Sequence, residues 1–201
     1  AQSPGCHRHV EGAATQRRLE VSQLPAATRN KINEAFATHH NVHRAHTIEG
    51  MNYRPLFHLS PPSGRLNDPN GIFVDGDTLH VYYQHDPCFP HAKKQTGWGH
   101  AVASLSAAQP WRHYPDALFP IREHDAHGCY SGGAVVDGKD VWLFYTGNLK
   151  RDGVRIPSQN RVRVVDPSGP AGGFYEHDPA NPLINGAAEG FTGHYRDPQI
   201  T

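Results

Sequence analysis

The sequence predicts an all-β fold built from a repeated unit of short strands, which is the pattern of a β-propeller. The run from Ala134 to Tyr145 aligns without gaps on the run from Ile72 to Tyr83, an offset of 62 residues. Both runs join two β-rich segments through an Asp-Gly turn. No stretch after residue 51 has a long helical periodicity. Repeats of about 60 residues made only of strands and turns indicate propeller blades around a central channel.

The chain divides into two parts by its patterning. Residues 1–50 form a poorly patterned N-terminal extension, and residues 51–201 carry the strand pattern. The histidine cluster within residues 39–46 lacks an acidic or cysteine partner, so we expect no metal site there. Met51 is the only methionine and directly precedes the patterned part. We hypothesise that it marks the start of the functional domain.

The strand pattern is read in chain order from the first hairpin, Ile72–Val74 and Leu79–Gln84. A loop rich in Pro and His leads to the predicted strand Gly97–Ser104, and residues 111–120 have the character of an edge strand. The second hairpin follows, and a third set of strands is predicted to begin at Arg161–Val165. A closed propeller needs at least four blades. We therefore expect the chain to be the N-terminal part of a larger domain, with a self-contained β-sandwich as the alternative.

Composition argues against several classes of partner. The chain has 19 basic and 19 acidic residues and no long run of one sign, which argues against nucleic acid or an anionic membrane. The three cysteines are far apart and form no CxxC pair, so neither disulfides nor zinc are expected. No apolar run is long enough to span a membrane, and no signal-peptide pattern opens the sequence. We expect a cytoplasmic protein without cofactors, and the sequence carries no signal for an oligomeric state.

Asp68 is the most constrained carboxylate in the sequence. Pro69 fixes its own φ and favours an extended backbone at Asp68, and Asn70-Gly71 tolerates positive φ just before an apolar run. A rigidly held carboxylate at the start of a strand suits a reacting group, although an ordinary turn would have the same pattern.

Two further polar clusters occupy the same position within the repeat as Asn67-Asp68. Tyr130-Ser131-Gly132-Gly133 precedes the second predicted hairpin, and Arg196-Asp197-Pro198 precedes the predicted third. Ser131 follows Asp68 by 63 residues, and Asp197 follows Ser131 by 66. Because the first strand of each propeller blade lines the channel, we expect the three clusters to meet at one mouth. Carboxylate, amide, hydroxyl and aromatic groups gathered there would suit a small polyol.

From about Tyr53 to its end, the chain resembles glycoside hydrolase family 32, which comprises invertases, sucrose-6-phosphate hydrolases and fructan hydrolases. The motifs that carry the resemblance follow in the family's order: His58–Gly71, Tyr82–Gln84, Trp98–His100, Tyr130–Gly132, Phe144–Gly147 and Arg196–Pro198. The sequence departs from the family at Arg65, where Trp is common, and at Tyr130–Gly133, where Phe-Ser-Gly-Ser is usual. The resemblance implies a five-bladed β-propeller, of which about the first two blades and the start of the third are present.

The resemblance also implies an activity. Terminal β-D-fructofuranosides, such as sucrose, sucrose phosphate or fructo-oligosaccharides, would be hydrolysed with retention by two carboxylates about 5–5.5 Å apart. Asp68 would be the nucleophile, and Asp197 would stabilise the transition state while Arg196 keeps it ionised. The residues implied to line the sugar pocket are Asn67, Gln84, Trp98, Tyr130 and Ser131, with Arg196 beside them.

One expected catalytic group is missing from this sequence. The family places its acid/base glutamate in a Glu-Cys motif after Arg-Asp-Pro, whereas Glu123, Glu176 and Glu189 all precede Arg196. We therefore expect the 201-residue chain to be inactive alone and the complete gene product to be active. A fructosyltransferase and a non-catalytic carbohydrate-binding remnant are the alternatives. An inverting arabinan- or xylan-cleaving hydrolase is disfavoured by the Asn-Asp-Pro-Asn-Gly and Arg-Asp-Pro motifs.

Overall fold

The structure, a computed structural model, describes residues 58–90, 94–169 and 171–200. Its strands are β1 (Arg65–Asp75), β2 (Thr78–Asp86), β3 (Gly97–Ser104), β4 (Arg112–Leu118), β5 (Cys129–Asp137), β6 (Asp140–Arg151), β7 (Val154–Val165), β8 (Phe174–His177) and β9 (Ile184–Asn185). The helical content of this part is one 3₁₀ turn, Glu123–Asp125. The all-β prediction is therefore confirmed for the described residues. The N-terminal extension, its histidine cluster and Met51 lie outside them.

The strands form two antiparallel sheets that follow the chain. The first has the order β1-β2-β3-β4, and the second has β5-β6-β7-β8 with the short β9 beside β7. The hairpin registers of the two sheets match at the predicted offset, since Asp75 pairs with Thr78 and Asp137 pairs with Asp140. The internal repeat is thus a repeat of strand pairing. Four-stranded antiparallel meanders are the units of propeller blades, and closure into five blades stays a prediction.

The first strand of each sheet begins earlier than the sequence predicted. Asp68 and Ser131 lie within β1 and β5 rather than before them. The register of β1 shifts between Leu66 and Pro69, so that Asn67 and Asp68 together oppose Gln84 on β2. Such a β-bulge absorbs one extra residue and lets the ladder continue. Pro69 is tolerated because β1 pairs on one side only among the described strands.

A matching bulge lies in β5, where the register shifts between Tyr130 and Gly132 opposite Thr146. In β1 a second shift follows, between Asn70 and Phe73. This extra residue explains why the bulges are 63 residues apart while the hairpins are 62 apart. The backbone feature that carries Asp68 is thus repeated in the second sheet.

The prediction that a third set of strands begins at Arg161 is wrong. Arg161–Val165 is the second half of β7, the third strand of the second sheet. The strand begins at Val154 because Asp152 and Gly153 form a two-residue turn in which both residues have positive φ, at 52° and 78°. No strand follows β9 up to residue 200, so the predicted third hairpin remains untested.

The hydrophobic core lies between the two sheets. Its buried members come from both: Phe73, Tyr82, Trp98, Ala117, Leu118, Cys129, Val141, Leu143, Tyr145, Val162, Val164 and Tyr175. Gly71 of β1 packs directly on this core, with φ at 46°. A Cβ there would meet Leu143, Tyr82 and Trp98 at 3.0, 3.1 and 3.3 Å. The glycine therefore lets β1 lie close to the core, which fixes the bulge that carries Asp68.

Candidate active site

The two bulges bring Asp68 and Ser131 into direct contact. Ser131 Oγ donates a hydrogen bond to Asp68 Oδ2 at 2.6 Å. Within the described part of the chain, this is the hydrogen bond that the Asp68 side chain makes, and the residue is exposed. One carboxylate oxygen is therefore held while the other remains open to solvent. A carboxylate in this state can attack an electrophilic carbon or accept hydrogen bonds from hydroxyl groups.

The backbone around this contact is tied across the two sheets. Gly132 N–H donates to Asn70 Oδ1 at 3.4 Å, so each bulge contacts the strand of the other. Asn70 is buried, with 2% of its surface exposed. Gly132 also packs against β6 so closely that a Cβ would lie 1.9 Å from the Phe144 carbonyl oxygen. Only glycine permits this approach, which holds the adjacent Ser131 at its place in the bulge.

The structure buries Trp98 in the core, whereas the sequence interpretation assigned it to the sugar pocket. Its side chain is fully buried, and its ring packs beside Tyr82 and Tyr145. The indole Nε1–H donates to the Tyr130 carbonyl oxygen at 3.1 Å. A buried indole needs such a partner. Trp98 therefore positions the backbone of the β5 bulge, while the Tyr130 side chain is partly exposed.

Asp197 contacts the residue of β6 that lies opposite the same bulge. Its backbone N–H donates to Thr146 Oγ1 at 2.9 Å, and Thr146 is the residue on β6 that pairs with Tyr130. Asp197 itself has a φ of 63°, in the left-handed region that Asp tolerates better than most non-glycine residues. The structure thus places the backbone of the Arg196–Pro198 cluster beside the β5 bulge.

Thr146 and Gln159 are site residues that the sequence interpretation did not assign. Thr146 Oγ1 donates to Gln159 Oε1 at 3.0 Å, and Gln159 Nε2 donates to the Tyr195 carbonyl at 3.1 Å. Both are buried, and together they fasten residues 195–197 to the second sheet. A signal for Thr146 was present in the repeat, because it lies 62 residues after Gln84 and opposes its own bulge as Gln84 does.

The remaining predicted site residues are Gln84, Asn67 and Arg196. Gln84 is buried and pairs with Trp98 across β2 and β3. Asn67 is exposed at the β1 bulge. Arg196 Nε lies 3.6 Å from Asp197 Oδ2, with about half of each side chain exposed. An ion pair of this length and exposure adds little stability.

The buried carboxyl of Asp125 lies next to the start of β5. Asp125 Oδ2 accepts from Tyr145 OH at 2.9 Å, and Asp125 Oδ1 accepts from the Arg122 backbone N–H at 2.7 Å. Burial raises the pKa of Asp125 to about 6, outweighing these hydrogen bonds. The Cys129 thiol contacts the same carboxyl, and burial raises the pKa of Cys129 as well. Cys129 directly precedes Tyr130, so this cluster anchors the strand that carries Ser131.

The described residues contain neither a metal-binding cluster nor a membrane-spanning helix. No group of three or more His, Cys, Asp or Glu side chains there is arranged to hold a metal ion. In the same part of the chain, no helix has the length and apolar character required to cross a membrane. The predicted cytoplasmic location stays a prediction.

Curated relatives share most of this chain. A probable sucrose-6-phosphate hydrolase of Vibrio cholerae is 35% identical over 189 residues, which cover 93% of this chain and 33% of that protein. A sucrose-6-phosphate hydrolase of Klebsiella pneumoniae is 40% identical over 148 residues, which cover 73% of this chain and 29% of that protein. The chain therefore spans about a third or less of the length of these relatives.

Solved structures and a family model agree with these relatives. The sucrose-6-phosphate hydrolase from Lactobacillus gasseri matches with a TM-score of 0.62 and 30% identity, over 73% of this chain and 28% of that chain. A GH32 beta-fructofuranosidase from Bombyx mori matches with a TM-score of 0.58 and 33% identity, over 73% and 29%. The model of the glycosyl hydrolases family 32 N-terminal domain matches residues 58–201. Because that match covers well over half of the sequence, the chain belongs to glycosyl hydrolase family 32.

Proposed function

We propose that the complete protein hydrolyses terminal β-D-fructofuranosides, with sucrose, sucrose phosphate and fructo-oligosaccharides as the substrate class, by a retaining double displacement. The observation that carries this proposal is the exposed Asp68 carboxylate held by Ser131 at 2.6 Å. Family membership supports the reaction type. The four-stranded meanders of the two sheets support a five-bladed propeller that presents Asp68 at its channel.

Asp68 is the proposed nucleophile. Its Oδ1 forms a bond to the anomeric carbon of the fructosyl unit, while the bond from that carbon to the leaving oxygen breaks. Water then attacks the same carbon, releases fructose and restores the carboxylate. The hydrogen bond from Ser131 to Oδ2 holds the plane of the carboxylate, so that Oδ1 is presented in one orientation.

Asp197 is the proposed stabiliser of the positive charge that develops on the fructosyl ring. The support for this role is the Thr146 hydrogen bond, which fixes the Asp197 backbone beside the β5 bulge. A carboxylate placed there would accept hydrogen bonds from fructose hydroxyls. Arg196, Asn67, Gln84, Tyr130 and Ser131 remain the proposed sugar-binding residues, whereas Trp98 acts through Tyr130.

The proposed acid/base residue is a glutamate outside this sequence. Among the described glutamates, Glu123 pairs with Arg151 at 2.9 Å and Glu176 lies 3.6 Å from Arg163. Neither glutamate stands in a Glu-Cys context. We therefore propose that the 201-residue chain lacks normal activity without the remainder of the protein.

The test is hydrolysis of sucrose and its relatives by the complete protein and by Asp68→Asn. Asparagine still accepts the Ser131 hydrogen bond but is a poor nucleophile, so we expect kcat to fall by about 10⁴-fold or more. Asp75→Asn is the matched control, because Asp75 lies in the same strand and accepts from Ser168 Oγ at 2.6 Å. It should leave kcat unchanged.

Product stereochemistry decides the mechanism. Proton NMR of the first product should show retained anomeric configuration, whereas an inverted product would exclude the double displacement. Transfer of fructose to added sugar in preference to water would favour a fructosyltransferase. Full activity of Asp68→Asn would refute the assigned nucleophile.

A further inference from the structure

Both ring nitrogens of His85 face hydrogen-bond acceptors near the end of β2. Nδ1 lies 2.7 Å from Asp116 Oδ1 on β4, and Nε2 lies 3.0 Å from the Ser63 carbonyl oxygen in the segment before β1. His85 is buried, with 5% of its surface exposed. A neutral imidazole has one N–H and one lone pair, so it can donate to only one of these acceptors. The imidazolium has an N–H on each nitrogen and donates to both.

The groups that contact the ring favour this charged form. Burial lowers the pKa of the His85 imidazole, whereas its contacts with acceptors and the nearby acids raise that pKa and outweigh burial. The groups responsible are Asp116, the Ser63 carbonyl and Asp86. Asp116 is the carboxylate that holds the charge most directly, because it both attracts the ring and accepts its hydrogen bond.

Other titratable groups lie around this pair. The Tyr83 ring meets the His85 ring edge-on, at 5.5 Å between centroids, and burial, followed by the charge of Asp116, raises the pKa of Tyr83. Tyr83 is therefore uncharged, and its hydroxyl oxygen lies 3.2 Å from His113 Nδ1. On the neighbouring strand, Arg65 pairs with Asp86 in the register of β1 and β2. Asp116 is thus the group whose removal tests the charge of His85.

The Ser63 carbonyl belongs to the segment that leads into β1. Ser63 Oγ donates to the Pro87 carbonyl oxygen at 3.3 Å. Gly64, with φ at 69°, packs so closely on the end of β2 that a Cβ would lie 2.1 Å from the Asp86 carbonyl oxygen. These two residues are therefore held against residues 85–87, directly before Arg65 begins β1.

His85 is also next to the β1 bulge in the strand register. Leu66 pairs with His85, and Asn67 and Asp68 follow as the bulge opposite Gln84. The backbone that enters the bulge thus depends on His85 through two contacts, the strand pairing with Leu66 and the ring contact with Ser63.

Loss of one proton from the imidazolium breaks one particular contact. The Asp116 carboxylate retains the proton on Nδ1, because a hydrogen bond to a charged acceptor is stronger than one to a carbonyl. Nε2 then presents a lone pair to the Ser63 carbonyl oxygen, and two buried acceptors face each other without a proton. The segment before β1 is therefore released at Ser63.

We propose that His85 is a positioning residue for the reaction: its doubly protonated ring holds the Ser63 segment and, through it, the β1 bulge that presents Asp68. This inference rests on the proposed function, and it assigns the control of activity at alkaline pH to a residue that does not touch the sugar. Carboxylates are ionised throughout the alkaline range, so the expected loss of activity there comes from the placement of Asp68 and not from its charge.

The test uses the complete protein and β-D-fructofuranosyl fluoride. The bond from Asp68 to the anomeric carbon forms while the carbon–fluorine bond breaks, and fluoride leaves as an anion without a proton from the acid/base glutamate. kcat/KM then measures the attack by Asp68 without the titration of that glutamate. We expect kcat/KM of wild type to fall on the alkaline side by at least about 10-fold, since a displaced catalytic group costs factors of this size.

Two variants identify the titrating group. In Asp116→Asn the imidazolium loses the charge that favours it, so the fall in kcat/KM should move to lower pH. In His85→Gln the amide does not titrate, so kcat/KM should stay below the wild-type plateau and show no alkaline fall. Asp140→Asn is the matched control, because Asp140 pairs with Arg163 at 3.0 Å in the second sheet, and it should keep the wild-type profile.

The pH profile distinguishes positioning from general support of the fold. A residue that only stabilised the fold would lower kcat/KM or the urea midpoint without moving the profile. A wild-type kcat/KM that is independent of alkaline pH, or a fall that Asp116→Asn leaves at the same pH, would overturn the proposal. If His85→Gln does not fold, the wild-type and Asp116→Asn profiles still decide.

Nitrogen-15 NMR of the histidine-labelled complete protein separates this inference from the proposed function. The ring signals of His85, identified by their response to Asp116→Asn, should show a proton on both nitrogens at neutral pH and loss of the Nε2 proton at alkaline pH. A neutral ring at pH 7 would overturn the inference whatever the hydrolysis results. A doubly protonated ring in a protein that cleaves no fructoside would refute the proposed function and, with it, the catalytic role of His85.

Discussion

The pH dependence of stability tests the buried cluster of Asp125, Tyr145 and Cys129 at the start of β5. Its pKa rises from an ordinary value of 3.8 to about 6 in the folded protein, chiefly because of burial. A carboxyl with a raised folded pKa favours folding only while it is protonated, so its contribution is lost as pH rises from about 4 to about 6. At about 1.36 kcal/mol per pKa unit, the loss amounts to about 3 kcal/mol.

The perturbation is Asp125→Asn in the complete protein. The amide accepts from the Arg122 N–H through Oδ1 and donates to the Tyr145 oxygen through its nitrogen, so the packing around it is preserved. We expect the variant to gain about 3 kcal/mol relative to wild type between pH 4 and pH 7, since it carries no charge to bury. His124 and Cys129 also face this carboxyl, and both are present in each protein.

Urea denaturation at several pH values measures this difference. Asp178→Asn is the control of opposite sign, because the Ala180 N–H and Arg161 hold the pKa of Asp178 below its ordinary value. Asp178 stabilises the folded state above that ordinary value and loses the contribution as pH falls. Its variant should therefore lose stability relative to wild type as pH rises. A difference between Asp125→Asn and wild type that stays constant from pH 4 to pH 7 would refute the raised pKa.

Two further predictions concern packing and a buried ion pair. Gly132→Ala should lower the free energy of unfolding by about 3 kcal/mol, because its Cβ would overlap the Phe144 carbonyl. Gly133→Ala is the control and should change the free energy of unfolding by less than about 0.5 kcal/mol, since the atoms nearest to its Cβ are 3.6 Å away. Equal losses for the two variants in urea denaturation would contradict this prediction. Burial lowers the pKa of His85, but Asp116 at 2.7 Å, the Ser63 carbonyl and Asp86 together outweigh burial and raise that pKa. The stability that the charged imidazole contributes is therefore present below the ordinary histidine pKa and lost as pH rises through the folded one. Asp116→Asn should therefore cost more stability at pH 6 than at pH 9, and thermal denaturation at both pH values checks it.

The sequence predicted the hairpins well because their signals are local. An Asp-Gly turn between two apolar runs fixes both the position of the turn and the register of the strands beside it. The strand starts were predicted too late, since Asn67-Asp68 and Tyr130-Ser131 look like turns. In the structure they are bulges, and a bulge depends on the partner strand, which a single run of sequence does not reveal.

The burial of Trp98 could not be predicted for a different physical reason. An indole beside predicted sugar-binding residues suits either a sugar face or a core, and burial decides between them. Here the ring fills the space between Tyr82 and Tyr145, and its N–H reaches the Tyr130 carbonyl. Burial of this kind comes from the packing of the second sheet on the first, about which the local sequence says little.

The two copies of the repeat show which features of the candidate site belong to the fold and which belong to the chemistry. Both sheets place a bulge at the same position of their first strand, opposite Gln84 in one sheet and Thr146 in the other. Because both strands have a bulge at this position, the side chains of Asp68 and Ser131 account for the different parts that the two bulges play. One bulge presents the carboxylate and the other presents the hydroxyl that holds it. The candidate site therefore depends on both copies of the structural unit, since Asp68 alone would lack the hydrogen bond that Ser131 donates.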